Sequence, residues 1–324
     1  MPQPLTSAQL DNWQHPLVRD LAWLIDAPDL LHLDDAQRPS LEELGLDDPQ
    51  IRQRFLSQLD TRSEPLEPQF GEAFDHRLGL YHERLWQRLL ALAPGTRLLA
   101  HNLPVIEAQR TLGELDLLYT CRKSGLPIHL EVTIKYYLGL PDGPGEPDDQ
   151  ARWIGPGGMD SLAIKRAHLQ KHQLPMANTP QARDALASHL GICPPGRLLQ
   201  RLAMPGVLFY PLDRTLPAPR QANPRHLKGQ WLHWRNWQRL TDRLPRGMHG
   251  AWLSRPHWLA LPPFEQLVPL ARLSHQLANH FATETAPVQL ALRYPDGYPA
   301  GIPHSWLRFF VVANDWPRQI PLPP

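Results

Sequence analysis

A chain of 324 residues with 42 % hydrophobic and 20 % charged side chains has the composition of a folded globular protein, in one elaborated domain or two packed ones. Its 37 prolines imply many fixed turns rather than wholesale disorder. Two cysteines, Cys121 and Cys193, lack zinc or disulfide spacing, and no apolar run approaches the ~20 residues that span a bilayer, so a disulfide scaffold and a membrane protein are excluded.

The opening MPQPLTSAQL has no basic start followed by an apolar run, and the expectation is a soluble cytoplasmic protein. The net charge of +1 hides an asymmetry. Residues 1–75 hold fifteen acids against five arginines, whereas 197–246 hold ten basic residues against Asp213 and Asp242. That distribution permits a nucleic-acid partner.

Residues 8–60 carry Leu17, Leu21, Leu24 and Ile25 at helical spacing, punctuated by Pro16, Pro28, Pro39 and Pro49, and predict an acidic helical cap over 1–65. Leu78, Leu85, Leu89 and Leu92 share one side of a helix over Leu78–Ala93 that Pro94-Gly95 ends. Strands follow at Arg97–Leu103, Leu112–Thr120 and Leu126–Leu138, the last two forming a hairpin across Cys121–Gly125. The Gly/Pro-rich, acidic stretch Gly139–Gly158 is read as a loop, a candidate gate, before a helix at Met159–Gln173. Gly206–Tyr210 (GVLFY) is an apolar strand of the buried kind. Helix, three strands, helix and strand make an α/β core over 66–211. Beyond it, 212–324 is expected to be a basic, Trp-rich extension packed on that core, with a helix around Phe264–Ala282 and a strand at Leu307–Val312.

Side chains alternate along a strand, so Glu131, Thr133 and Lys135 share one face opposite Val132 and Ile134, while Asp116 shares a face with Glu114 and Leu118. Across the hairpin Asp116 faces Glu131. Mg²⁺ or Mn²⁺ would relieve the repulsion of two such carboxylates and leave positions open for a phosphate, and metal-assisted phosphodiester hydrolysis is the matching chemistry. Lys135 is the lysine on that strand to stabilise developing charge. Taken alone, the same residues serve equally well as a solvated salt-bridge ladder.

The blocks LGLYHERLWQ, LLAHNLPV, TLGELDLLY, EVTIKYYLG, WIGPGGMDSLAIKRAHLQKHQL and FVVANDWP resemble the bacterial domain of unknown function 1853, within the PD-(D/E)XK nuclease superfamily. The resemblance implies a restriction-endonuclease-like core, a magnesium-dependent phosphodiesterase activity and a nucleic-acid substrate, DNA or RNA. Residue by residue it implies that Asp116 is the metal-binding Asp, Glu131 the second acid, and Glu83 the helix acid that assists the metal. The superfamily's lysine falls two residues after the second acid, where this chain has Thr133. Lys135 lies roughly 6–7 Å further along, at ~3.3 Å per residue. Lys165 on the following helix is a candidate to restore the charge, since migrated lysines are familiar in the superfamily.

On that helix Lys165, His168 and His172 share one side, a polar stripe that suits either the site or solvent. HLQKH lacks the glutamate of a zinc HExxH motif. The segment Arg220–Arg246 interleaves Trp231, Trp234 and Trp237 with Arg225, Lys228, Arg235 and Arg239, candidate contacts to a phosphate backbone. Tryptophans at spacing three more often pack an element onto a core. Two functions remain in view: a metal-dependent nuclease, and a catalytically inactive nuclease-like module that binds nucleic acid or a protein.

Overall fold

Amphipathic helices and two β-sheets make a mixed α/β architecture in the computed structural model, which describes residues 12–33, 36–62, 77–193, 198–295 and 306–322. The boundary expected near residue 65 lies outside the described residues. Helix α1 (Pro16–Asp26) begins at a proline in its first turn, where the missing N–H costs nothing. Short α2 (Leu41–Leu44) is capped by the Ser40 hydroxyl, and α3 (Pro49–Thr61) by the Asp48 carboxylate on the amides of Gln50 and Ile51. The described part of the N-terminal segment is helical. Helix α1 is buried along most of its length, and Asp20 joins the Tyr81 hydroxyl at 2.5 Å to the amide of Ala260 at 2.9 Å.

Helix α4 (Leu78–Leu92) buries Leu85 and Leu89 against the sheet formed by β1 (Thr96–Glu107), β2 (Arg110–Cys121) and β3 (Pro127–Val132), each antiparallel to the next. Ala108 and Gln109, with φ of 45° and 67°, turn β1 into β2.

The run expected as one strand over Leu126–Leu138 is two: β3 stops at Val132, and β4 (Lys135–Gly139) belongs to the other sheet. The cause is a matched break in its partner. Strand β3 pairs in parallel with β6 (Leu199–Ala203), β4 with β7 (Gly206–Pro211), and the register offset is the same on both sides. The amides of Thr133 and Lys135 carry the ladder across, onto the carbonyls of Ala203 and Pro205. Pro205 has no N–H to donate, and Gly206 passes so close that a Cβ there would lie 1.7 Å from the Lys135 carbonyl oxygen. The strand completing the acid-bearing sheet is thus β6, which the sequence pattern did not mark, while GVLFY is β7 of the larger sheet.

The 139–158 stretch is ordered around Arg152, whose guanidinium donates to the carbonyls of Pro141, Pro144 and Gly145. It leads through β5 (Trp153–Ile154) into α5 (Leu162–His168), capped by Ser161 and continued by a π-helical turn, Leu169–Gln173, and by Leu174–Met176. Pro175 has no N–H to return to the carbonyl four residues back, which favours the wider turn. Helix α6 (Pro180–Leu190) then packs on β1.

The larger sheet continues through β8 (Leu227–His233), α7 (Trp237–Thr241), β9 (His249–Leu253), β10 (Val268–Pro269), α8 (Leu270–Thr283), β11 (Val288–Arg293) and β12 (Trp306–Val312). Its strand order is β10-β9-β11-β12-β8-β7-β4-β5. The late strand falls where it was expected, and the late helix begins at Leu270 rather than near Phe264, after a 3-10 turn at Phe264–Gln266 and the short β10. One hydrophobic cluster runs from Leu21 and Leu24 through Leu85, Leu117 and Leu130 to Ala291 and Phe310, so early, central and late parts of the chain share a core. Among the described residues no helix is long and apolar enough to cross a membrane.

Candidate active site

Leu117 and Tyr119 of β2, with Ile128 and Leu130 of β3, turn into the core shared with α4. Alternation therefore sends Asp116 and Glu131 to the opposite face. Leu117–Leu130 is the last registered pair of this hairpin, and one step further Asp116 Oδ2 accepts the Val132 amide at 3.0 Å. The two carboxyls meet there, as the hairpin register predicts. Glu131 is 1 % exposed. Burial, then the neighbouring Asp116 charge, holds its carboxyl well above the usual range. Burial also pushes Asp116 up to about 6, aided by the fields of Glu83 and Glu114 and opposed by the Val132 amide.

The π-helical turn places Gln173 over this pair. Its Nε2 donates to Glu131 Oε1, while its Oε1 accepts from Lys165 Nζ at 2.7 Å and lies 2.9 Å from His168 Nδ1. Burial lowers the Lys165 pKa, the Glu131 charge works against that, and the Lys135 charge adds to it. The cation joined to the acids is thus the helix lysine.

Lys135 is placed otherwise. Its ammonium is held 2.6 Å from Asp160 Oδ2, which also accepts from the Tyr137 hydroxyl at 3.2 Å. Asp160 ends a tight turn closed by the Gly155 amide on its carbonyl at 2.8 Å. Thr133 serves the ladder through its backbone. Glu83 reaches Asp116 only through its field, and its Oε1 accepts from Gln87 at 3.1 Å.

Among the described residues no three His, Cys, Asp or Glu side chains gather as a metal cage. The Asp116–Glu131 pair alone still suits a hard divalent cation. Mg²⁺ is commonly held by one or two carboxylates, keeps several waters and takes its remaining oxygens from a phosphate. Two buried carboxyls, both raised chiefly by burial, are groups that such a cation would deprotonate and stabilise.

The basic segment divides. Trp231 is buried with its indole on the Gly139 carbonyl at 2.9 Å, Trp237 donates to Ser274 at 2.9 Å, and Trp234 stacks on Phe281. The tryptophans are core, as their spacing favoured. Arg225, Lys228, Arg235 and Arg239 are exposed but form no single patch. Arg225 and Lys228 lie at the start of β8, Lys228 in register with Leu208 and so with Tyr137. Arg235 and Arg239 lie beyond its far end, roughly 20 Å away at ~3.3 Å per residue.

Sequence reasoning missed Gln173 and the partnership of Asp160 with Lys135. Pro175, inside a helical pattern just after Gln173, was the available signal for an irregular turn.

A family model described as Domain of unknown function (DUF1853) matches residues 19–312. No curated protein and no solved structure matches the chain.

Proposed function

The chain belongs to the DUF1853 family, and we propose that it is a metal-dependent nuclease cleaving phosphodiester bonds of DNA or RNA at the Asp116–Glu131 pair. The observation that carries this reading is the meeting of two carboxyls, both raised by burial, with Lys165 across one amide. Support also comes from the element order: α4, the antiparallel β1–β3, α5 and α6, then β6 parallel to β3, the order expected of a PD-(D/E)XK core.

Asp116 and Glu131 would hold Mg²⁺ or Mn²⁺, which when bound polarises a phosphoryl oxygen and lowers the pKa of a coordinated water. Lys165 supplies positive charge beside the acids, and Gln173 fixes both Lys165 and Glu131 in place. Glu83 contributes field rather than ligation.

The second reading is a nuclease-like module that binds nucleic acid without cutting it. The absence of a third ligating side chain among the described residues, and the commitment of Lys135 to Asp160, favour it. The two part on Asp116→Ala. A nuclease loses Mg²⁺- or Mn²⁺-dependent cleavage of labelled DNA or RNA while keeping oligonucleotide binding. A binding module shows no cleavage in the wild type, and binding that is unchanged or tighter once a negative charge is removed.

A further inference from the structure

We infer that residues 170–176 are a strap latched over the site by Gln173, and that a metal and a phosphodiester reach Glu131 once that contact is released. The inference deepens the nuclease reading and rests on it. It follows from access to the acid, from how little the strap buries, and from what lies beneath it.

Glu131 is 1 % exposed, and its Oε1 accepts from the Gln173 amide. Mg²⁺ or Mn²⁺ arrives with waters attached and must keep room for a phosphate oxygen. With Gln173 in place the carboxyl is shut off from such an ion. A metal–oxygen bond at Glu131 therefore forms at the expense of this hydrogen bond.

The strap is held at its ends and loose between them. Leu169 and Ala177 are buried in separate hydrophobic clusters. Between them Gln173, Leu174 and Met176 are half-buried, and Gln170, Lys171, His172 and Pro175 are exposed. A segment that buries so little apolar surface opens locally at small cost. Its backbone is irregular, a π-helical turn followed by Pro175. A groove of ≈ 1160 Å³ runs along it, lined by Gln170, Leu174 and Pro175 of the strap and by Leu199 and Gln200 of β6. Polar contacts hold it down: Gln173 with Glu131 and Lys165, and the Gln200 amide on the Leu174 carbonyl.

Beneath it lies His129, on the same face of β3 as Glu131 and in register between Leu118 and Gln200. Leu118 clusters with Ala177 and Met176, and Gln200 bonds Leu174, so the strap roofs the ring. His129 is 0 % exposed, and neither ring nitrogen has a hydrogen-bond partner among the described residues. Two polar atoms buried without partners disfavour the latched state, and lifting the strap opens them to water. Lys165, in α5 outside the strap, loses its Gln173 acceptor in the same movement and is left to donate to the phosphate.

The test uses the full chain with Mn²⁺ alone, read by metal titration and by amide hydrogen exchange. Gln173→Ala removes the latch, and its Mn²⁺ affinity is expected to rise about tenfold over wild type, the scale of one hydrogen bond lost from the metal-free state. A Gln173 that only braced the acid for the metal would give the opposite sign. In the wild type, saturating Mn²⁺ is expected to speed exchange of the amides of 170–176 while those of β3 stay protected. Affinity unchanged or lowered in Gln173→Ala, or strap exchange unchanged or slowed by Mn²⁺ in the wild type, would overturn the inference and leave the nuclease reading standing. A wild-type chain that binds no Mn²⁺ overturns both.

Discussion

Lys165 and Glu131 are joined through the two ends of one amide: the ammonium donates to Gln173 Oε1 at 2.7 Å, and Gln173 Nε2 donates to the carboxyl. The cation nearest the acids therefore comes from α5, while the strand lysine, Lys135, is held by Asp160.

A pair of substitutions separates the two lysines. Lys165→Met is expected to lower kcat about 10²-fold or more, as removal of a charge aimed at a transition state does. Lys135→Met is expected to cost less than about tenfold, mostly in KM. Equal losses, or a larger loss for Lys135→Met, would assign the catalytic cation to the strand.

The raised carboxyls make stability depend on pH. Asp116 at about 6 and the raised Glu131 bind protons more tightly folded than unfolded, where carboxyls titrate near 4. The Asp116 contribution is fully present below about pH 4 and is lost as pH rises through about 6, and that of Glu131 is lost as pH rises through its own raised value. Metal-free protein should thus lose on the order of 2 kcal/mol from this site over that window, read as a falling urea midpoint. Asp116→Asn should flatten the decline. A midpoint contribution that rises over the same window in the difference between wild type and Asp116→Asn would contradict the assignment.

Metal and proton compete for the same oxygens, so thermal stabilisation by millimolar Mn²⁺ should grow above about pH 6 and vanish in Glu131→Gln. The same variant, neutral at every pH, should be at least as stable as wild type without metal. Undiminished Mn²⁺ stabilisation of Glu131→Gln would place the cation elsewhere.

Nucleic-acid contacts should follow position along β8. Lys228, two strands from Tyr137 in register, should weaken oligonucleotide binding when changed to Ala and lower the salt dependence by about one phosphate contact. Arg235→Ala and Arg239→Ala, beyond the far end of the strand, should leave both unchanged. Salt titrations of a fluorescent oligonucleotide read the difference, and the reverse ranking would move the binding path away from the acid-bearing end.

Much of this arrangement was legible in the residues. Leu85 and Leu89 announce α4, and the alternation of Leu117 and Leu130 with Asp116 and Glu131 announces a hairpin with both acids on the face opposite those leucines. The break at Thr133–Ile134 was not legible, because the alternation runs straight through it. Only its distant partner, Pro205-Gly206, forces the change of sheet. Strand β6, with the sequence LQRLA, has no strand pattern of its own and is made by parallel pairing with β3, a long-range contact. Gln173 was hidden for a related reason: it reaches Glu131 only because the helix widens before Pro175.

The hop between sheets has its own test. Gly206→Ala would drive a methyl group into the Lys135 carbonyl, backbone that cannot rotate away, and should cost about 3 kcal/mol or more in urea unfolding. A midpoint close to wild type would mean that the two sheets meet differently.

The most direct measurement is cleavage of a mixed panel of labelled single- and double-stranded DNA and RNA by the full chain with Mg²⁺ or Mn²⁺, beside Glu131→Gln. The account predicts metal-dependent cleavage by the wild type that chelation stops and Glu131→Gln abolishes, with oligonucleotide binding retained. Cleavage that persists in Glu131→Gln, or a folded wild type that cuts nothing with either metal, would contradict it.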